Sequence, residues 1–233
     1  MKNAAKKIIK NTLYHLGYTI QSASYTFTPW TEPEFQTGIY NKIRDRTLVT
    51  PDRCYIVDRL GRHCAHLEGD FAECGVYRGG TAFLIANILQ TACADKTLHL
   101  FDTFTGMPNT AVKERDAHQE GEFGDTSRQS VEGYLSAFSH FVDIHAGFIP
   151  QTFEGLGKAK FAFVHIDVDI YPTAWDCCQF FYERLVSGAV MVFDDYGDIK
   201  YKNAIKRAVD EFFADRPEVL ITLPTGQCMV TKL

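Results

Sequence analysis

Asp167-Val168-Asp169 follows the apolar run Phe161–Ile166, and Asp194-Asp195 follows the apolar run Ala189–Phe193. Both runs read as short buried strands. Between them a helical pattern extends from about Thr173 to Val186 and closes at Ser187-Gly188. Strand, helix and strand with a short return form a βαβ unit, so the strands should be parallel. The carboxylates then share the C-terminal edge of the sheet, where open α/β sheets bind ligands. Carboxylates packed together repel, and a divalent cation relieves that repulsion. Oxygen-only donors suit Mg²⁺ or a similar hard ion. A single Asp after a strand is ordinarily a helix cap or turn former, a reading harder to sustain for D-x-D plus D-D on consecutive strands. On an extended chain Asp167 and Asp169 leave on the same side. Asp194 and Asp195 can reach one ion together only if the backbone turns there, and Tyr196-Gly197 offers that turn.

A second set of residues lies near the first strand of the core, Asp70–Cys74. Glu73-Cys74-Gly75 closes that strand, and Gly75, Gly79 and Gly80 lead into an apolar helix, Ala82–Leu89. Such glycines let the backbone approach a ligand, and a helix N-terminus offers free N–H groups. The phosphate-clamping G-x-x-x-x-G-K-[ST] pattern lacks its Lys, and Val76-Tyr77-Arg78 breaks the dinucleotide G-x-G-x-x-G spacing. What is left is an acid, a glycine turn and a second acid, Asp102, after the strand Thr97–Phe101. A carboxylate there can accept from both hydroxyls of a ribose. Ordinary tight-turn glycines are the competing explanation. His165 sits inside an apolar run and reads as a hydrogen-bonded core histidine. His118 falls in the polar loop Val112–Gly124, which reads as solvated, with a lid as the alternative. No G-x-S-x-G hydrolase elbow is present.

The elements that must position these residues follow from the remaining pattern. Helical spacing covers Ser127–Phe138 and Tyr201–Ala214, the latter with Ala204, Ala208, Val209 and Phe212 on one face. Val142–His145 is a further strand, and Val219–Leu223 and Cys228–Lys232 form a terminal hairpin around Thr225-Gly226. The expectation is an α/β fold: a doubly wound sheet ending in one reversed strand. Residues 1–68 read as an N-terminal helical cap or lid and 69–233 as the core domain. Helical pieces are expected at Lys6–Leu16, Glu32–Arg44 and Pro51–Ala65. Tyr25, Phe27, Trp30 and Phe35 serve either as a stacking surface for an acceptor or as the cap's own small core.

The chain has 233 residues, 45% of them hydrophobic, enough for a full core. Its net charge of −5 argues against nucleic acid as a partner. No run is long enough for a membrane span. The basic N-terminal stretch is a poor signal peptide and reads as a packing helix, with a membrane-surface helix as the alternative. Seven cysteines without a C-x-x-C pair fit reduced thiols and a cytoplasmic location.

Six stretches, taken in order, resemble the macrocin O-methyltransferase family. They are Glu73–Gly80, Leu100–Pro108 (LFDTFTGMP), Gly124–Ser127, Gly147–Thr152, His165–Tyr171 (HIDVDIY) and Phe193–Gly197 (FDDYG). The resemblance covers roughly residues 40 to 233. It implies a Rossmann-like class I methyltransferase sheet and an S-adenosylmethionine- and Mg²⁺-dependent methyl transfer to a sugar hydroxyl of a natural product. By resemblance Asp167, Asp194 and Asp195 are the metal ligands and Asp169 the general base. Glu73 and Gly75 border the methionine part of the cofactor, Asp102 binds its ribose, and Asp125 and Ser127 lie on the adenine side. Val168 and Ile170 depart from the usual Ala and Leu. The implied partner is a small hydroxylated acceptor, a sugar by preference, and a homo-oligomer is compatible with it. Two other readings stay open: a metal-dependent glycosyltransferase, since D-x-D also serves nucleotide-sugars, and a catalytically silent partner subunit.

Overall fold

Alternating apolar runs and helical patterns assemble into one seven-stranded sheet. The computed structural model describes residues 9, 12–13, 27–109, 118–198 and 203–233. The strands are β1 (Asp70–Cys74), β2 (Leu98–Asp102), β3 (Val142–Ala146), β4 (Phe161–Ile166), β5 (Leu185–Phe193), β6 (Ile221–Thr222) and β7 (Cys228–Thr231), in the order β3-β2-β1-β4-β5-β7-β6. The first five are parallel, and β7 runs antiparallel to both β5 and β6. The chain moves outward in one direction from β1 and in the other from β4. The switch point, and with it the natural crevice for a ligand, therefore lies between the C-terminal ends of β1 and β4.

Helices cover both faces. One face carries α1 (Pro51–Cys64), α2 (Gly80–Thr91) and α3 (Arg128–Tyr134). The other carries α4 (Tyr171–Tyr182) and α5 (Ala204–Phe213). β4 is buried at every position, as a strand covered on both sides must be. Phe71 and Phe163 point to the α1 and α2 face, Phe101 and Phe161 to the α4 face. α5 buries Ala204, Ala208, Val209 and Phe212 as the spacing predicts.

Boundaries shift by a few residues in several elements, among them the strand expected at Val219–Leu223, which is Ile221–Thr222, and two elements change in kind. The helix after β4 ends at Tyr182 and β5 already begins at Leu185. Ser187-Gly188, which reads as the helix stop, is instead a bulge within the strand. Pairing with β4 jumps from Phe161↔Leu185 to Phe163↔Val190, and Gly188 has φ +82. The Ser127–Phe138 pattern splits into α3 and a 3₁₀ turn, Ser136–Phe138. The expected Lys6–Leu16 helix, Tyr25, and the Lys113–Asp116 part of the polar loop lie largely or wholly outside the described residues, as do residues 201–202 at the start of the helix expected from Tyr201.

Upstream of β1, short helical turns from Pro33 to Arg46 lead into α1. Pro51 at the first position of α1 supplies the fixed φ a helix start favours. Cys54, Val57, Gly61 and Cys64 form its buried stripe and share a core with Phe71, Leu84 and Phe163. Trp30 and Phe35 pack against Tyr55 at 6.5 and 5.3 Å between ring centroids, so these aromatics form local core. Among the described residues no helix is long and apolar enough to cross a membrane.

Candidate active site

The crevice at the switch point opens into a cavity of about 950 Å³. Gly75 and Asp102 line one side; Asp167, Asp169, Asp194 and Asp195 line the other. Gly75 N–H donates to the Phe101 carbonyl at 2.9 Å, and Asp167 N–H to the Cys74 carbonyl at 2.8 Å, so both loops leave the sheet side by side. A Cβ on Gly75 would lie 1.7 Å from the Asp167 carbonyl oxygen, and its φ is +85. Glycine is required here by the neighbouring loop itself, before any ligand arrives.

The acid-bearing backbone is not extended beyond β4. Ile170 N–H donates to the Val168 carbonyl at 2.7 Å, and Asp169 lies in the left-handed region at φ +59. The same-side geometry expected of Asp167 and Asp169 on a strand is thus replaced by a tight turn, a conformation Asp tolerates better than most residues. After β5 the backbone does turn: Asp198 N–H donates to the Asp195 carbonyl at 3.0 Å, and Gly197 N–H to the Gly226 carbonyl at 2.7 Å. Asp167, Asp194 and Asp195 each place a carboxylate oxygen within 4.8 Å of the others. Burial and the charges of Asp194 and Asp195 push the Asp167 carboxyl well up, and burial and Asp195 do the same to Asp169. A cluster whose own charges oppose ionisation and which offers only oxygen donors fits a hard divalent cation.

Arg53, on the first turns of α1, also reaches this cluster. Its Nη1 donates to Asp194 Oδ2 at 2.8 Å and Asp195 Oδ1 at 2.9 Å, while its Nε donates to the Thr225 carbonyl at 3.1 Å. Gln227 Nε2 donates to Asp194 Oδ1 at 2.7 Å. Asp194 is held lowered despite burial by His165, Arg53 and Gln227. Behind it His165 is fully buried, with Nδ1 2.9 Å from Glu73 Oε1 and Nε2 3.5 Å from Asp194 Oδ1. His118 comes from the polar loop with a buried ring, Nε2 3.7 Å from Asp169 Oδ1 and Nδ1 2.6 Å from Glu122. Neither Arg53 nor Gln227 carries a local signal. Their acid partners lie 141 and 33 residues away.

Asp102 is held by the turn it faces. Oδ2 accepts from Val76 N–H at 2.7 Å and Tyr77 N–H at 2.9 Å, and Oδ1 accepts from Phe104 N–H at 2.7 Å. Its remaining acceptor capacity is mainly on Oδ1. Three expected cofactor residues do not line the cavity. Glu73 is wholly buried against His165. Asp125 is exposed and pairs with Arg78. Ser127 caps α3, its Oγ accepting from Ser130 N–H at 3.2 Å.

Leu48, Val49, Met107, Pro108, Phe148 and Ile149 give the same cavity an apolar margin. Leu48 and Phe148 are among the most exposed large hydrophobic residues described, at 66% and 55%. Trp30 and Phe35 are absent from this wall.

Residues 61–223 match the family Macrocin-O-methyltransferase (TylF). The chain is 30% identical over 177 residues to the demethyldecarbamoylnovobiocin O-methyltransferase of Streptomyces niveus, covering 68% of this chain and 64% of that protein. It is 23% identical over 216 residues to the 8-demethyl-8-(2,3-dimethoxy-alpha-L-rhamnosyl)-tetracenomycin-C 4'-O-methyltransferase of Streptomyces olivaceus, covering 86% and 80%. The chain thus spans a little under two thirds of the first relative's length. Its fold matches the O-methyltransferase NovP with a TM-score of 0.70 at 23% identity, over 88% of this chain and 91% of that one. The family match runs from the last turn of α1 to β6 and contains Asp102, Asp167, Asp169, Asp194 and Asp195 of the cavity, so the chain belongs to the macrocin O-methyltransferase family.

Proposed function

We propose that this protein is an S-adenosylmethionine-dependent, Mg²⁺-assisted O-methyltransferase acting on a hydroxyl of a sugar or glycosylated natural product. The observation that carries the reading is a single cavity lined by Gly75 and Asp102 together with the four aspartates Asp167, Asp169, Asp194 and Asp195. Its volume is at the top of the range for small-molecule sites, about 300–1,000 Å³, which suits a cofactor and an acceptor side by side. The rhamnosyl group in the name of the Streptomyces olivaceus relative supports a sugar acceptor, and the apolar margin suits an aglycone beside it.

In this reading the cofactor supplies a methyl group on a positively charged sulfur. The turn at Gly75 and the free acceptor capacity of Asp102 Oδ1 hold its methionine and ribose ends. Glu73 acts from behind the wall by fixing His165, and Asp125 and Ser127 act by shaping the loop next to the turn. Asp167, Asp194 and Asp195 would hold Mg²⁺, which would supply the positive charge that makes a hydroxyl proton easier to remove. The acceptor oxygen forms its bond to the methyl carbon as the carbon–sulfur bond breaks, and its proton passes to Asp169. Burial raises the Asp169 carboxyl, which moves this base towards neutral pH, where proton transfer is more effective.

The test is calorimetry with S-adenosylhomocysteine alongside turnover assays. Asp169→Asn should bind S-adenosylhomocysteine and Mg²⁺ as the wild type does, with turnover reduced about 10²–10⁴-fold. Wild-type protein that binds a nucleotide-sugar but not S-adenosylhomocysteine would refute the reading. Full activity after exhaustive EDTA treatment would remove the metal and leave neutralisation of Asp194 and Asp195 to side chains such as Arg53.

A further inference from the structure

The α4 face of the sheet holds a second group of donor side chains, none of which lines the active-site cavity. His99 and Phe101 alternate onto this face from β2, and β3 places Asp143 opposite His99 and His145 opposite Phe101. His99 is 6% exposed and forms an edge contact with Phe161, while His145 stacks on Phe101 at 4.6 Å between centroids. His99 Nδ1 and His145 Nε2 lie 3.0 Å apart. Asp143 Oδ2 is 3.9 Å from the first and 3.5 Å from the second.

We propose that His99, Asp143 and His145 form a metal site for Zn²⁺ or a similar borderline divalent ion, with solvent in the fourth position. Tetrahedral ligands at about 2.0–2.1 Å from Zn²⁺ stand about 3.3 Å from one another. The observed triangle of 3.0, 3.5 and 3.9 Å brackets that edge. Imidazole donors favour Zn²⁺, Cu²⁺ or Ni²⁺ over Mg²⁺, so this site and the oxygen-only cluster would select different ions. The other nitrogen of His99 also has a partner. Nε2 faces Asp70 Oδ2 at 3.6 Å, and Asp70 Oδ1 is fixed by Thr97 N–H at 2.8 Å. A carboxylate behind a ligating histidine holds the proton on the far nitrogen and leaves the near lone pair for the metal. A hydrogen bond between the two imidazoles accounts for His99 and His145 alone. The metal accounts for Asp143 and Asp70 as well. Its structural effect would be to tie β3, at the edge of the sheet, to β2.

Co²⁺ titration of chelator-stripped full-length protein tests the site. An imidazole-rich tetrahedral site gives intense visible bands, and an oxygen-only octahedral site gives faint ones. Thiolate ligation, for instance at Cys93, would add a near-ultraviolet charge-transfer band. We expect one equivalent of intensely absorbing Co²⁺ without that band, displaced by Zn²⁺. It should vanish in His145→Gln and persist in Asp167→Asn. Asp70→Asn should keep the bands with affinity weakened about 10–100-fold. Zn²⁺ should raise the thermal midpoint of the wild type but not of His145→Gln. Where His145→Gln fails to fold by circular dichroism, the exposed Asp143→Asn carries the test. Faint bands only in folded wild type, or unchanged bands in folded His145→Gln or Asp143→Asn, would overturn the proposal.

Discussion

His165 shows how one side chain links the end of β1 to the acid cluster. It lies wholly buried between Glu73 and Asp194. Burial alone would push its pKa down, but the carboxylates of Asp194 and Glu73 outweigh it and raise it from 6.5 to about 9. Burial raises the Glu73 carboxyl as well, so this pair retains a proton across neutral pH. A folded-state pKa above the unfolded value contributes stability that is fully present below about 6.5 and lost as pH rises through about 9. That separation corresponds to about 3 kcal/mol. Urea unfolding of the wild type should therefore show stability falling between about pH 6 and about pH 9.5, and His165→Asn should lack that part of the fall. Identical pH profiles for the two proteins would show that the imidazolium is absent. At the same scale, Leu48 is exposed on the cavity margin and touches none of the acids through a hydrogen bond. Leu48→Ala should raise the acceptor KM by about tenfold or less, the effect of losing part of an apolar contact, with S-adenosylhomocysteine affinity unchanged. A shift in cofactor affinity would assign Leu48 to the other end of the cavity.

At the scale of elements, the site depends on how β1 and β4 end. Their loops run so close that Gly75 has no room for a Cβ beside Asp167, and its φ of +85 disfavours any other residue. Gly75→Ala would force one of the two loops to move, at a cost of about 3 kcal/mol or more. Because one loop carries the turn and the other carries Asp167, cofactor and metal affinity should fall together. Gly155→Ala is the control: its φ is +86, but nothing lies within 4 Å of the added carbon. It should cost only the left-handed strain, about 1–2 kcal/mol, and leave both affinities intact. Equal losses of stability and affinity in the two variants would mean that the β1–β4 contact does not set the site.

At the scale of the molecule, α1 joins residues upstream of β1 to the far end of the sheet. It packs on β4, β5 and α2, and its Arg53 holds Asp194, Asp195 and the Thr225 carbonyl together. Arg53 thus partly neutralises the acids and constrains their geometry. Breaking a mostly buried ion pair commonly costs about 3–5 kcal/mol because the remaining charges are left unpaired. In EDTA, Arg53→Gln should lie near the lower end of that range below wild type. Mg²⁺ should stabilise the variant more than it stabilises wild type, since it would then take over the neutralisation of Asp194 and Asp195 that Arg53 supplies. Thermal unfolding with and without Mg²⁺ measures both effects, and an equal Mg²⁺ increment in the two proteins would contradict this role.

Periodicity and spacing by themselves determined the parallel sheet with its reversed strand, and the family motifs added residue roles. Both are written locally: a βαβ unit, a glycine turn and the acids that follow strands each occupy a few tens of consecutive residues. Local pattern also placed Asp102, Asp167, Asp169, Asp194 and Asp195 at one edge, because the ends of parallel strands share an edge whatever packs around them. Tertiary structure decided what the acids touch. It brought Arg53 across 141 residues and Gln227 across 33, and it set His118 against Asp169. It turned Glu73 inward to His165, and it put Asp125 and Ser127 to local use beside the turn. It also brought Leu48 and Val49 into the cavity lining while Trp30 and Phe35 each pack on Tyr55. A side chain's partner is chosen by how helices dock on the sheet, and that docking follows from the shape of the whole core, which no local spacing records.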